Sequence, residues 1–356
     1  MKELRKTNLL LILLIVLLSC DDSRYNFDRG IIPLNPVNFE AVNSVYDDYN
    51  SAEPKPISVT RAFALVFSTN RMSEGSDFDF VFYDCFTSSN LVTGDFEINT
   101  NNYFPEDQPL LDLINSSANE FAPLFMFDST YEYYYGYYEY YFAAELNTSE
   151  KRFFYTSDKN GNMDIYCCYF DLESETFLAS GFPIPLNTIN TNADEGYFTL
   201  NTGENEDSET MYFTSNRDGS FDIFRAIGEE QKLIDESVTV DLSKIDILSS
   251  EADDKCPYIK NNMMVFVSDK PGGYGGFDLY YSTFDGDEWS APENFGEKIN
   301  TEYDEYRPII IETDKKHFLN DFMIFSSNRP GGMGGYDLYY AGMKPVGFYF
   351  SGSHEE

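Results

Sequence analysis

The sequence predicts an all-β chain, a five-bladed β-propeller over residues 38–350 with N-terminal strand closure, six blades being the alternative count. Two observations predict it: a hairpin phrase that occurs five times, and a link phrase that occurs five times in strict alternation with it. Composition is the third, because 28 Tyr, 32 Phe and 42% hydrophobic content suit pleated strands and are too apolar for a disordered acidic chain.

The hairpin phrase is an apolar strand ending in Ser or Thr, a polar residue, a cation, a turn, an aromatic or apolar residue, Asp and a second strand. Its copies run from Phe67-Ser68-Thr69-Asn70-Arg71 to Asp79, from Tyr155-Thr156-Ser157-Asp158-Lys159 to Asp164, and from Thr214-Ser215-Asn216-Arg217 to Asp222. The last two run from Val267-Ser268-Asp269-Lys270 to Asp278 and from Ser326-Ser327-Asn328-Arg329 to Asp337. Asn160-Gly161, Asp218-Gly219, and the Gly-rich turns at 272–276 and 331–335 supply the positive φ that tight hairpins need. Each copy therefore reads as strand, turn, strand.

The link phrase is fullest at Ile299-Asn300-Thr301-Glu302-Tyr303-Asp304-Glu305-Tyr306-Arg307-Pro308. Its counterparts begin at Val42-Asn43-Ser44, Ile114-Asn115-Ser116, Ile189-Asn190-Thr191 and Ser249-Ser250, and end on Asp48, Glu120, Glu195 and Asp254. One repeat then equals one four-stranded sheet, too small to bury its faces alone and stable only against neighbours. Asn38-Phe39 before Val42-Asn43 echoes Asn294-Phe295 before Ile299-Asn300, so residues 38–43 are expected to complete the last blade and remove the sheet edges. The rival occupant of that place is Val346 to Phe350.

These phrases resemble the TolB-like β-propeller repeat family, in the version with Ser-Asn-Arg-Pro-Gly-Gly-x-Gly-Gly-Tyr-Asp-Leu-Tyr that accompanies OmpA-like modules in Bacteroidota envelope proteins. The likeness runs over about residues 38–342 and is strongest from 253 to 342. In that family the repeat is structural, so the resemblance implies a fold and an envelope location more than a chemistry. With the sequence ending at Glu356, an OmpA-like domain is not expected to follow.

Lys2, Arg5 and Lys6, an apolar run from Leu9 to Leu18, and Leu17-Leu18-Ser19-Cys20 describe a secretory signal over residues 1–19. Ten apolar residues are too few to span a bilayer that needs about 20. The Leu-x-Ser-Cys ending resembles the lipobox of bacterial lipoproteins, which implies a lipid on Cys20, an acidic tether over 20–37 and a short tail at 351–356. Asp21-Asp22 after the cysteine resembles the surface-export signal of Bacteroidota lipoproteins, so an outer-membrane lipoprotein, surface-exposed or facing the periplasm, is expected. A net charge of -37 argues against nucleic acid and anionic lipid surfaces and for cations or basic partners. Apart from Cys20, the cysteines Cys85, Cys167, Cys168 and Cys256 fit no zinc spacing and read as buried thiols.

Strand order places the link carboxylates Asp48, Glu120, Glu195, Asp254 and Glu305 on one rim with the turn cations Arg71, Lys159, Arg217, Lys270 and Arg329. They staple the structure as ion pairs, or line a rim that takes an anionic or hydroxylated ligand such as a glycan. A second contact surface is the Tyr133, Tyr134, Tyr135, Tyr137, Tyr138, Tyr140, Tyr141 run, whose rings and hydroxyls suit a sugar or a protein. His317 and His354 sit near no recognisable nucleophile motif, which argues against a His-based triad. No cofactor or metal is expected, with Ca2+ at Asp158 to Asp164 the alternative, weakened by a misplaced Gly and a missing bidentate Glu. The expected function is a non-catalytic envelope binding or scaffolding module for a protein or glycan. The alternative is a glycoside hydrolase using channel carboxylates, with Glu195 and Glu305 as acid and base.

Overall fold

The computed structural model describes residues 27–52, 62–101, 108–127, 151–171, 178–179, 183–202, 209–228 and 232–343. Among these are five antiparallel sheets, four running in chain order from the inside outwards and the fifth completed on its outside by the N-terminal strand. Blade 1 is β2 (Asp48–Ala52), β3 (Ala62–Thr69), β4 (Asp79–Ser89) and β5 (Phe96–Asn101), and β1 (Val37–Asn38) precedes it. A short helix, α1 (Gln108–Ile114), leads to blade 2: β6 (Glu120–Phe127), β7 (Lys151–Ser157), β8 (Asp164–Asp171), β9 (Leu178–Ala179) and β10 (Ile184–Pro185). Blade 3 is β11 (Glu195–Thr202), β12 (Glu209–Ser215), β13 (Asp222–Gly228) and β14 (Val240–Lys244), and blade 4 is β15 (Asp254–Lys260), β16 (Met263–Ser268), β17 (Asp278–Thr283) and β18 (Glu293–Asn294). Blade 5 is β19 (Glu305–Ile311), β20 (Phe322–Ser327) and β21 (Asp337–Gly342), with β1 as its fourth strand.

The inner strand of each blade packs on that of the next, and β19 packs on β2, so the five blades form a ring. Strands covered by neighbours on both faces are buried at every position, as Met263–Ser268, Glu305–Ile311 and Phe322–Ser327 are, while Phe96–Asn101, at a blade's outer edge, alternates. The apolar core accordingly lies between blades, not within one.

Closure is the N-terminal strand. Val37 and Asn38 pair with Tyr340 and Tyr339, and the Asn43 side chain both donates to the Leu338 carbonyl and accepts from its N–H. Asn115, Asn190 and Asn300 do the same to Phe80, Ile165 and Leu279. That explains the asparagine of the link phrase: its amide substitutes for one more backbone unit in the ladder. Val346 to Phe350, the rival for this place, lie outside the described residues. Residues 27–36, within the stretch expected as an acidic tether, contact the propeller: Gly30 bridges Phe318 and Ile32 is fully buried against the Asn320 amide.

Each inner strand carries a β-bulge two residues after its carboxylate, at Asn50, Ala122, Tyr197, Cys256 and Arg307, all at φ between 46° and 59°. Two residues there face one aromatic on the second strand, which leaves an unpaired residue and turns side chains toward the ring's axis. Left-handed backbone at five non-glycine positions is tolerated only where packing on all sides fixes it.

Candidate functional site

The link carboxylates are hubs of the fold. Glu195 accepts from the Thr191 N–H and hydroxyl and from the Ser215 hydroxyl, and pairs with Arg217 at 3.1 Å. Glu305 repeats this with Thr301, Ser327 and Arg329 at 2.9 Å, and Asp48 pairs with Arg71. All three carboxylates are fully buried. Their lone pairs are committed to the link and the turn, so Glu195 and Glu305 do not face a substrate as acid and base.

Two blades differ. Lys159 and Lys270 form no ion pair with Glu120 and Asp254 among the described residues; their ammonium groups sit over Tyr166 at 3.6 Å and Tyr280 at 3.8 Å. Burial pushes both lysines below their ordinary range. The same burial pushes Glu120 up from 4.5 to about 7, its Ser116 and Ser157 hydrogen bonds offsetting only part of the cost, and it raises Asp254 too. Every cation therefore caps a stacked aromatic pair: Phe67 on Tyr83, Tyr155 on Tyr166, Phe213 on Phe224, Phe266 on Tyr280 and Phe325 on Tyr339.

Blade-to-blade joints are made by the residue before the carboxylate, which sequence reasoning did not single out. Asp47, Asn119, Asp194, Asp253 and Asp304 accept from the N–H of Tyr336, Phe78, Met163, Phe221 and Phe277 of the preceding blade. The residues giving those N–H groups are the "aromatic or apolar" position of the hairpin phrase, and their side chains ring the axis.

With the residues that follow the carboxylates, they form a partly exposed aromatic cluster on the rim of links and turns, called the bowl below. Tyr49 meets Phe78 at 4.9 Å, Phe121 at 5.7 Å and Tyr336 at 5.8 Å between ring centroids. Phe277 meets Tyr306 at 5.3 Å, and the Lys255 ammonium lies over Phe221 at 4.1 Å and Phe277 at 4.8 Å. Two partly exposed carboxylates complete it: Asp253 pairs with Lys255 at 2.9 Å, and Asp304 accepts from the Tyr336 hydroxyl at 2.7 Å. Tyr49, Tyr197 and Tyr306 are joined to this cluster by ring contacts, and burial holds their hydroxyls well above the usual phenol range.

The calcium alternative meets a different geometry. Both Asp158 oxygens are taken by Asn119, and Gly161 at φ 102° closes an ordinary hairpin turn. Among the described residues no cluster of three or more His, Cys, Asp or Glu is placed to hold a metal. Cys85, Cys167, Cys168 and Cys256 are buried free thiols. Cys20 and the tyrosine run from Tyr133 to Tyr141 lie outside the described residues, and no described helix is long and apolar enough to cross a membrane.

No protein-family model matches the chain, and no curated protein matches it. Among solved structures it is similar to the catalytic domain of a GH62 α-L-arabinofuranosidase of Coprinopsis cinerea, at 11% identity over 89% of this chain and 96% of that one, TM-score 0.46. It is also similar to an exo-β-1,3-galactanase of Clostridium thermocellum, at 10% identity over 87% and 63%, TM-score 0.49, and to levansucrase of Gluconacetobacter diazotrophicus, at 10% identity over 91% and 86%, TM-score 0.44.

These findings correct two expectations. The resemblance to the TolB-like family has no matching family model behind it, and the similar structures bear glycoside-hydrolase names. The expectation of a non-catalytic binding or scaffolding module is set aside in the same way, the similar structures bearing glycoside-hydrolase names; that likeness, at 10–11% identity, shows the fold alone. Repeated phrases reported the architecture correctly; the family and the absence of chemistry had been inferred from the phrases alone.

Proposed function

We propose that this chain is a carbohydrate-active enzyme that seats a sugar in the bowl and hydrolyses its glycosidic bond. The observation that carries the reading is the convergence of Tyr49, Phe78, Phe121, Phe277, Tyr306 and Tyr336 in one cluster beside Lys255, Asp253 and Asp304. Aromatic faces take the apolar face of a sugar ring, and a few convergent polar groups fix its hydroxyls. Glycosidic cleavage needs one carboxyl group as acid and a second as base or nucleophile. Asp253 and Asp304, at equivalent positions on neighbouring blades, are the pair we assign, because they stay partly exposed beside the aromatic rings although one oxygen of each holds a blade joint, whereas Glu195 and Glu305 are fully buried in their hubs.

Binding and product release over a panel of arabinan, galactan, fructan and mixed bacterial oligosaccharides test this. Asp253→Asn and Asp304→Asn are expected to bind near the wild-type level and lose about 10²–10⁴-fold in turnover, and Phe277→Ala to weaken binding about tenfold or more. A wild type that neither binds nor cleaves any member of the panel contradicts the reading, as does full turnover by both Asn variants. The signal at residues 1–19 and Cys20 support placing this activity on a lipid-anchored protein of the outer membrane, with envelope or environmental glycan as its partner.

A further inference from the structure

Arg307 and Asn50 are the bulge residues of neighbouring blades 5 and 1, whose inner strands pack together, and the Asn50 N–H donates to the Ser326 hydroxyl of blade 5, the residue opposite Tyr306. Arg307 is 1% exposed and Asn50 fully buried. The Arg307 Nε and Nη1 atoms and both amide atoms of Asn50 have no hydrogen-bond partner among the described residues, and Arg307 forms no ion pair there. This differs from the molecule's other fully buried arginine, Arg152, which pairs with Glu209.

A guanidinium does not release its proton, so its burial requires a counter-charge or a dense shell of acceptors. The groups that act on Arg307 most strongly are Cys256, Tyr197, Tyr258 and Tyr306. Burial pushes the Cys256 thiol up to about 12 and raises the Tyr197 and Tyr306 hydroxyls, so these neighbours are neutral at ordinary pH. The Tyr258 hydroxyl is committed to the Ile310 carbonyl at 3.2 Å. The protein, among the described residues, brings one fixed positive charge and an unpaired amide to this joint and no carboxylate to meet them.

We propose that Arg307 and Asn50 form an internal anion site where blades 5 and 1 meet, taking a halide or a similarly small monovalent anion. Nε and Nη1 of Arg307 and the Asn50 amide donate to the ion, which supplies the counter-charge that blades 5 and 1 need where they meet. The site is independent of the sugar reading, since it uses none of the polar groups assigned to the sugar. It binds the folded chain alone and therefore raises its stability by mass action.

Bromide is the probe. Crystals of the full chain grown in sodium bromide are expected to show anomalous density within hydrogen-bonding reach of Arg307 and Asn50. In solution, replacing sodium gluconate by sodium bromide at equal ionic strength is expected to raise Tm by about 4 °C when bromide is 100 times its dissociation constant. Arg307→Met is expected to melt alike in both salts. Absence of bromide at Arg307 in wild-type crystals overturns the proposal whether or not the variant folds, and so does a wild-type Tm that is equal in the two salts.

Discussion

Glu120→Gln and Glu305→Gln are the same substitution at equivalent places in two blades, and the structure gives them opposite signs above neutral pH. Glu120 forms no ion pair among the described residues, and burial raises its carboxyl from an ordinary 4.5 to about 7. Its proton is therefore held more tightly by the folded chain than by the unfolded one. The stability this adds is complete below about pH 4.5 and is lost as pH rises to about 7. A difference of about 2.5 units corresponds to about 3 kcal/mol. Gln removes that loss but turns an amide NH2 toward the Ser116 N–H, at a cost of about 1–2 kcal/mol. Glu120→Gln is thus expected to be about 1–2 kcal/mol more stable than wild type at pH 8 and less stable by a similar amount at pH 4.5. Glu305→Gln instead strips the buried partner of Arg329 and is expected to cost about 2–4 kcal/mol at pH 8. Urea unfolding of the three proteins at both pH values measures this. Equal destabilisation by Glu120→Gln at the two pH values, or stabilisation by Glu305→Gln, would refute the reasoning.

Three further outcomes follow from named contacts. Arg152→Met, which leaves the fully buried Glu209 charge without its guanidinium, is expected to cost about 3–5 kcal/mol, and Arg152→Met with Glu209→Leu to recover most of it, read by urea midpoints. Gly334→Ala would set a Cβ 1.8 Å from the Tyr46 carbonyl at the seam between the last and first blades and is expected to cost about 1–3 kcal/mol or more. Gly161→Ala, in open space but at φ 102°, is expected to cost about 1 kcal/mol, and thermal melts compare the two. Cys20→Ala is expected to abolish incorporation of labelled lipid and to move the chain from the membrane to the soluble fraction; unchanged fractionation would remove the anchor.

The ring was legible because each blade repeats its punctuation. The Asn of the link phrase makes the same pair of bonds in four blades, and the cation caps the same stacked aromatic pair in all five, so repetition in sequence is repetition of contacts. Asn38-Phe39 disclosed the closing strand for the same reason. What the phrases could not disclose was divergence within them. Arg and Lys look equivalent at the turn, yet only the longer, forked guanidinium reaches both the carboxylate and a link carbonyl, as Arg217 does with Glu195 and Ile189, while Lys159 stops on an aromatic face. The bowl hid in the least constrained position of the hairpin phrase, where Phe, Met and Tyr interchange. Arg307 hid behind a bulge, because a strand read with period two assigns it to the wrong side.

A crystal structure of the full chain with a bound oligosaccharide from the panel puts the functional reading at greatest risk. Sugar density is expected in the bowl, stacked on Phe277 and Tyr336, with a glycosidic oxygen within reach of Asp253 or Asp304. Sugar seated only on the opposite rim, with the bowl unengaged, would contradict it.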